Sequence, residues 1–163
     1  MRVEDKILFL RYAMPCASTF VTRHIISQDD ANSMIEQVSH GAVPKSAMRM
    51  FNVAHAMCEV TAREMNKAVI DAAVIRQYFH GKHNEVVDYD YAMMHDFDPD
   101  CCKIHIGKVV AVGAGGATVE TDLGQKLYRT DFCNVKEGDE VAVHYDFIVE
   151  RTNKELLKQI KRS

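Results

Sequence analysis

Tryptophan is missing from this chain of 163 residues, and only three prolines interrupt it. No apolar run reaches the roughly 18 residues that a membrane-spanning helix requires, so no such helix is expected. A basic surplus is lacking too. The formal charge is −3 and the isoelectric point is near 6.2, which argues against a general nucleic-acid binder. The five cysteines, Cys16, Cys58, Cys101, Cys102 and Cys133, contain no CxxC pair, so local spacing does not predict a structural zinc site. Their odd number, without a secretory leader, disfavours a disulfide framework. The opening MRVEDKILFLRYAMP sets Glu4 and Asp5 before its short apolar stretch and has no cleavage pattern after it. A cytoplasmic location is therefore expected. Nucleophile-elbow, HExxH and paired-carboxylate motifs are also missing, and no catalysis is expected.

What is present divides into two halves with different periods. At 47% hydrophobic the chain can bury a core. Residues 1–88 read as a helical domain. Pro15 should break a helix over residues 4–25, because proline removes a hydrogen bond and clashes with the preceding turn. Ser27, followed by Asp29 and Asp30, reads as a helix start running to His40 and stopping at Gly41. A longer helix over residues 45–66 places Phe51, Ala54, Cys58, Ala62 and Met65 on one face. Asp71 should cap a fourth helix that Gly81 ends. Residues 89–100 read as a linker, with Asp98 and Asp100 as turn residues around Pro99.

From residue 102 the period changes to two. Strands are expected over residues 104–112, 117–122, 125–130, 140–145 and 147–151, separated by glycine-bearing turns. Gly113-Ala-Gly-Gly116 joins two strands, so it reads as a turn rather than a phosphate loop. Thr152 with Glu155 three residues later reads as a capping box for a terminal helix. Five short strands at this spacing suggest a small closed or nearly closed barrel over residues 101–163. The fold class expected is α+β: an N-terminal helical domain, then an OB-like β-barrel with a C-terminal helix.

The residue pair that could carry chemistry is Cys102, ahead of the first strand, and His144, on a late one. Thiolates suit soft metals, and neutral imidazole is a common ligand. A working thiolate needs nearby positive charge or a metal, and Lys103, His105 and Lys108 lie close in sequence. Strand parity turns Val141 and Val143 one way and His144 the other; with the valines inside, His144 would be available to a partner. The plainer alternative is a buried thiol and a surface imidazole. His80 and His83 read as cations at a helix C-terminus; a metal in the linker region would instead use His83, His95 and Asp98. His55 and Cys58 share a helical face that reads as core. The methionines at positions 48, 50, 57 and 65 read as packing filler.

Residues 102–160 resemble the HypC/HupF family of nickel–iron hydrogenase assembly chaperones. The family begins Met-Cys, then two or three small or apolar residues, then Pro-Gly-Lys-Val; this chain has CKIHIGKV. The family ends on a Val-Gly-Asp-Tyr-Val-Leu-Val-His-type stretch; this chain has KEGDEVAVHYDF. Gly107, Lys108, Gly138, Asp139, Val143, His144 and Phe147 fall in register with Cys102. The resemblance implies an OB-like barrel that escorts the Fe(CN)2CO unit with a HypD-like iron–sulfur partner and holds an immature hydrogenase large subunit. Iron would be a transient cargo, and no cofactor would be permanently bound. The resemblance carries the family's cysteine to Cys102 and its histidine to His144, as iron-fragment and partner contacts; His105 and Lys108 stand beside them as candidate contacts. In this chain the cysteine is internal, Ile106 replaces the family's proline, and an unassigned helical domain precedes the match. An OB-like protein- or ligand-binding module without an iron-escort role is the alternative.

Overall fold

A computed structural model of the chain describes residues 1–91 and 98–162. They form two compact units, Met1–Tyr78 and Phe79–Ser163. Residues 79–88, expected with the helices of the first domain, fall in the second unit. Half of the expected linker, with His95, lies outside the described residues. Among the described residues no helix is long and apolar enough to cross a membrane.

The first unit is helical. Helix α1 (Lys6–Ala13) is capped by Asp5, whose carboxylate accepts from the Leu8 N–H. It ends in a 3-10 turn over Met14–Cys16, and α2 (Ala17–Thr22) follows. The break falls at Pro15, where the missing donor demands it. Helix α3 (Gln28–Ser39) starts on Ser27, whose capping box is completed by the Asp30 carboxylate. Gly41, with φ 77°, ends it in the left-handed region.

The single long helix expected over residues 45–66 is instead two, α4 (Ala47–Met50) and α5 (Asn52–Glu64). Phe51 leaves helical geometry (φ −95°, ψ 35°) between them. Its ring is buried and meets Phe20 edge-on at 5.8 Å, so tertiary packing overrides helix propensity here. Cys58 and Ala62 are core, as the face predicts, and burial pushes the Cys58 thiol up to about 12. The core gathers Phe9, Leu10, Tyr12, Met14, Val38 and Ile70.

Asp71 caps α6 (Ala72–Gln77), accepting from the Val74 N–H. Burial would raise its carboxyl, but the Lys67 ammonium and the Val74 N–H hold it below its ordinary value. A carboxyl depressed by folding stabilises the fold above its unfolded pKa, and the benefit is lost as the pH falls through the folded one. Asp71→Ala should therefore cost about 1 kcal/mol at neutral pH. In urea unfolding the gap from wild type should close as the pH drops below the ordinary carboxylate range.

Gly81 does not end a helix as expected. It lies inside a π turn over Tyr78–Lys82, and α7 (His83–Tyr91) begins straight after it. The one-turn helix α8 (Pro99–Cys102) is capped by Asp98, which accepts from the Asp100 N–H. Five strands follow: β1 (Ile104–Gly113), β2 (Gly116–Thr121), β3 (Gly124–Tyr128), β4 (Glu140–His144) and β5 (Phe147–Thr152).

The strands pair antiparallel in the order β3-β2-β1-β4-β5. The β1–β2 turn is the expected glycine turn, with Gly113 opposite Gly116. Val109, Ala117, Val119, Tyr128, Val141, Val143 and Ile148 fill one face as the core of this unit. The edges β3 and β5 are joined by a single bridge, Arg129 to Phe147, with Arg129 N–H donating to Asp146 O at 2.7 Å and Ile148 N–H to Arg129 O at 2.9 Å. No ladder continues from it, so the sheet does not close. Helix α9 (Lys154–Arg162) follows the last strand. Its cap is Asn153, which accepts from the Leu156 N–H at 2.8 Å. The expected Thr152 capping box does not form: Thr152 ends β5, and its hydroxyl is buried without a hydrogen bond.

Candidate metal centre

Antiparallel register brings the ends of β1 and β4 together. Ile104, which opens β1, pairs with His144, which closes β4. Cys102 ends α8 two residues ahead of Ile104. Its neighbour Cys101 accepts a hydrogen bond at the carbonyl from the Tyr145 N–H at 3.0 Å, which ties α8 to the β4–β5 turn. Tyr145 holds that turn with φ 52°. The cysteine and histidine singled out in the sequence are therefore neighbours in space.

A third residue joins them. His83, the first residue of α7, brings a ring nitrogen to the same place. The donor atoms of His83, Cys102 and His144 lie within 4.8 Å of one another. The two imidazoles meet edge-on at 5.2 Å and 78°. Phe79 lies 5.3 Å from the His83 ring, and Tyr145 lies 5.3 Å from the His144 ring. All three donors are buried: His83 is 7% exposed, Cys102 6% and His144 0%.

Asn84 fixes α7 to β1. Its amide donates to the Ile104 carbonyl at 2.9 Å, and its carbonyl accepts from the Ile104 N–H at 2.8 Å. Removing it strands both polar groups of a buried backbone unit, and an unpaired buried group costs about 1–3 kcal/mol. Asn84→Ala should therefore lower stability by about 2 kcal/mol and speed hydrogen exchange at the Ile104 amide more than at the Val119 amide in the sheet centre.

Burial corrects one expectation. Val141 and Val143 do fill the sheet core, as parity predicts. His144, on the other face, is not available at the surface, however, because it is fully buried. Cys102 is buried as well, as the plainer alternative has it.

The neighbouring cations do not turn to the thiol. Lys103 pairs with Asp88 and Asp100, and those carboxylates raise its pKa. His105 sits between the Asp122 carboxylate at 2.8 Å and the Asp100 carbonyl at 3.0 Å. It lines a separate cavity of about 100 Å³ with Cys101, Lys126 and Tyr128. Lys108 is exposed, with Glu120 and Glu140 opposite it on the flanking strands. His105 and Lys108 are thus not gathered with Cys102 and His144. Cys101 faces the Asp98 carboxylate at 3.4 Å; desolvation and that carboxylate raise its pKa and keep it a thiol. Asp98 serves as a helix cap.

Sequence reasoning missed His83 as a partner of the pair, since His80 and His83 read as dipole-complementing cations. Gly81, interrupting a helical pattern between two histidines, was the available signal. π turns recur at functional sites.

The fold and the site define an α+β chain whose sheet-bearing unit holds a buried Cys/His cluster able to take a metal ion. None of the family models, curated proteins or solved structures with which it was compared matches the chain.

Proposed function

We propose that this protein is a non-enzymatic metallocentre-assembly chaperone resembling HypC. In this reading it acts in the cytoplasm with a HypD-like partner, carries the Fe(CN)2CO unit, and delivers it to, or holds, an immature nickel–iron hydrogenase large subunit. The observation that carries the reading is the juxtaposition of Cys102 and His144 across the β1–β4 register. A thiolate and an imidazole side by side are a ligand pair for low-spin ferrous iron. The bridge at Arg129 and Phe147 supports taking the sheet as an OB-like barrel joined at one corner. Because both ligands are buried, loading and release require the partner to uncover them.

That burial also favours the second reading, an OB-like binding module that keeps the architecture without the iron-escort role. Anaerobic affinity purification of the tagged chain from its own cells separates the two. Recovery of a HypD-like protein or a hydrogenase large subunit together with iron, lost in Cys102→Ala, is the outcome expected of the chaperone. Recovery of unrelated proteins, unaffected by that substitution, would establish the binding module.

A further inference from the structure

The pair that carries the chaperone reading has a third donor that neither the family pattern nor the sequence spacing supplies. We propose that His83, Cys102 and His144 together form a binding site for one first-row divalent cation of borderline softness, zinc being the best fit. The inference deepens the reading above, since it builds on the same Cys102–His144 pair.

Four observations converge on it. The donor set is two imidazoles and one thiol, which selects zinc, cobalt, iron or copper over magnesium and calcium, whose ligands are oxygen. The donor atoms lie within 4.8 Å of one another. Around a tetrahedral ion with bonds of about 2.0 Å to nitrogen and about 2.3 Å to sulfur, donors stand roughly 3.5 Å apart, so small side-chain rotations suffice to close the site. All three residues are buried, where shared coordination offsets the cost of desolvating polar groups. Finally, the ligands are held from behind. His83 Nδ1 lies 3.3 Å from Asn84 Oδ1, a contact that orients the ring. The same Asn84 clamps Ile104, the residue that pairs with His144 and follows Cys102 by two positions.

Binding deprotonates Cys102, and the proton passes to solvent; the resulting thiolate and two neutral imidazoles leave the bound divalent centre with one net positive charge.

The test is a titration of the purified full-length chain, stripped of metal under anaerobic reducing conditions, with cobalt(II). One cobalt per chain should bind, with intense thiolate-to-cobalt absorption and the strong visible bands of four-coordinate geometry, and zinc should displace it. His83→Gln should weaken cobalt binding by about 100-fold or more, because even the groups behind metal ligands cost about tenfold or more when lost. His83→Cys should keep one cobalt per chain and intensify the thiolate absorption, which a purely structural role for His83 would not do. Cobalt affinity unchanged in His83→Gln would overturn the proposal and leave the Cys102–His144 pair standing. Wild-type binding without thiolate absorption would overturn it too and would take Cys102 out of the site. If cobalt binds as expected while no maturation partner is ever recovered, the chaperone reading fails and the metal site stands.

Discussion

Gly116→Ala should unfold the sheet unit under conditions where the native chain is stable. Gly116 opens β2 with φ 132°, a conformation L side chains rarely adopt. A Cβ there would lie 2.2 Å from the Tyr128 carbonyl oxygen and 3.1 Å from its carbonyl carbon. Both are backbone atoms, so relief requires β2 and β3 to separate where Ala117 pairs with Tyr128. The Tyr128 ring belongs to the core of the unit, and the displacement would pull it out. Backbone strain and overpacking together should cost about 3–5 kcal/mol, a large share of the roughly 5–15 kcal/mol that holds a domain together. Gly124 supplies the control. Its φ is also positive, at 100°, but a Cβ there meets nothing within 4 Å. Gly124→Ala should cost only about 1–2 kcal/mol. Guanidinium unfolding of the two variants measures the clash as their difference. Equal midpoints would mean that β2 and β3 do not pair as described.

Cys102→Ala and His144→Ala should each reduce the iron recovered with the chain to background, and the double variant should do no worse than either. Ligands that grip one ion act as a unit, so their losses do not add. An incomplete donor set loses an exchangeable ion to competing water and thiols. Stability should separate the two variants. Cys102→Ala removes one small buried atom, at about 1 kcal/mol. His144 is fully buried, and His144→Ala leaves a larger cavity, at about 2–3 kcal/mol. Circular dichroism and thermal melts run beside the iron assay keep loss of fold apart from loss of ligand. Wild-type iron in either single variant would remove that residue from the site.

The helical unit was legible wherever a local rule decides. Pro15 breaks a helix because it lacks a donor, Ser27 and Asp71 cap because their oxygens reach the first free N–H groups, and Gly41 stops because it adopts positive φ. Strand positions were legible from a period of two and glycine turns. The failures lie where tertiary packing outvotes a local rule. Phe51 splits a helix to bury its ring. Thr152 stays in β5 and yields the cap to Asn153. The π turn around Gly81 carries the chain through a position that reads as a stop.

For the site, chain order named Cys102 and His144, and the β1–β4 register brings them together. It could not name His83, 19 positions before Cys102 on a different element, because only the folded backbone decides which helix residue meets a strand end. Nor could parity foresee burial, since it gives the face a side chain takes and not what covers that face. His105 and Lys108 were drawn in by proximity in sequence, yet alternation along β1 and the acids opposite them engage them elsewhere.

The most direct test of the central claim is an infrared spectrum of the chain purified anaerobically from its own cells, beside Cys102→Ala prepared in the same way. Cyanide and carbonyl stretching bands that accompany the wild-type chain and vanish in the variant are the result expected if Cys102 and His144 carry the iron unit. Iron-loaded wild-type protein without those bands, or bands that persist in Cys102→Ala, would contradict it.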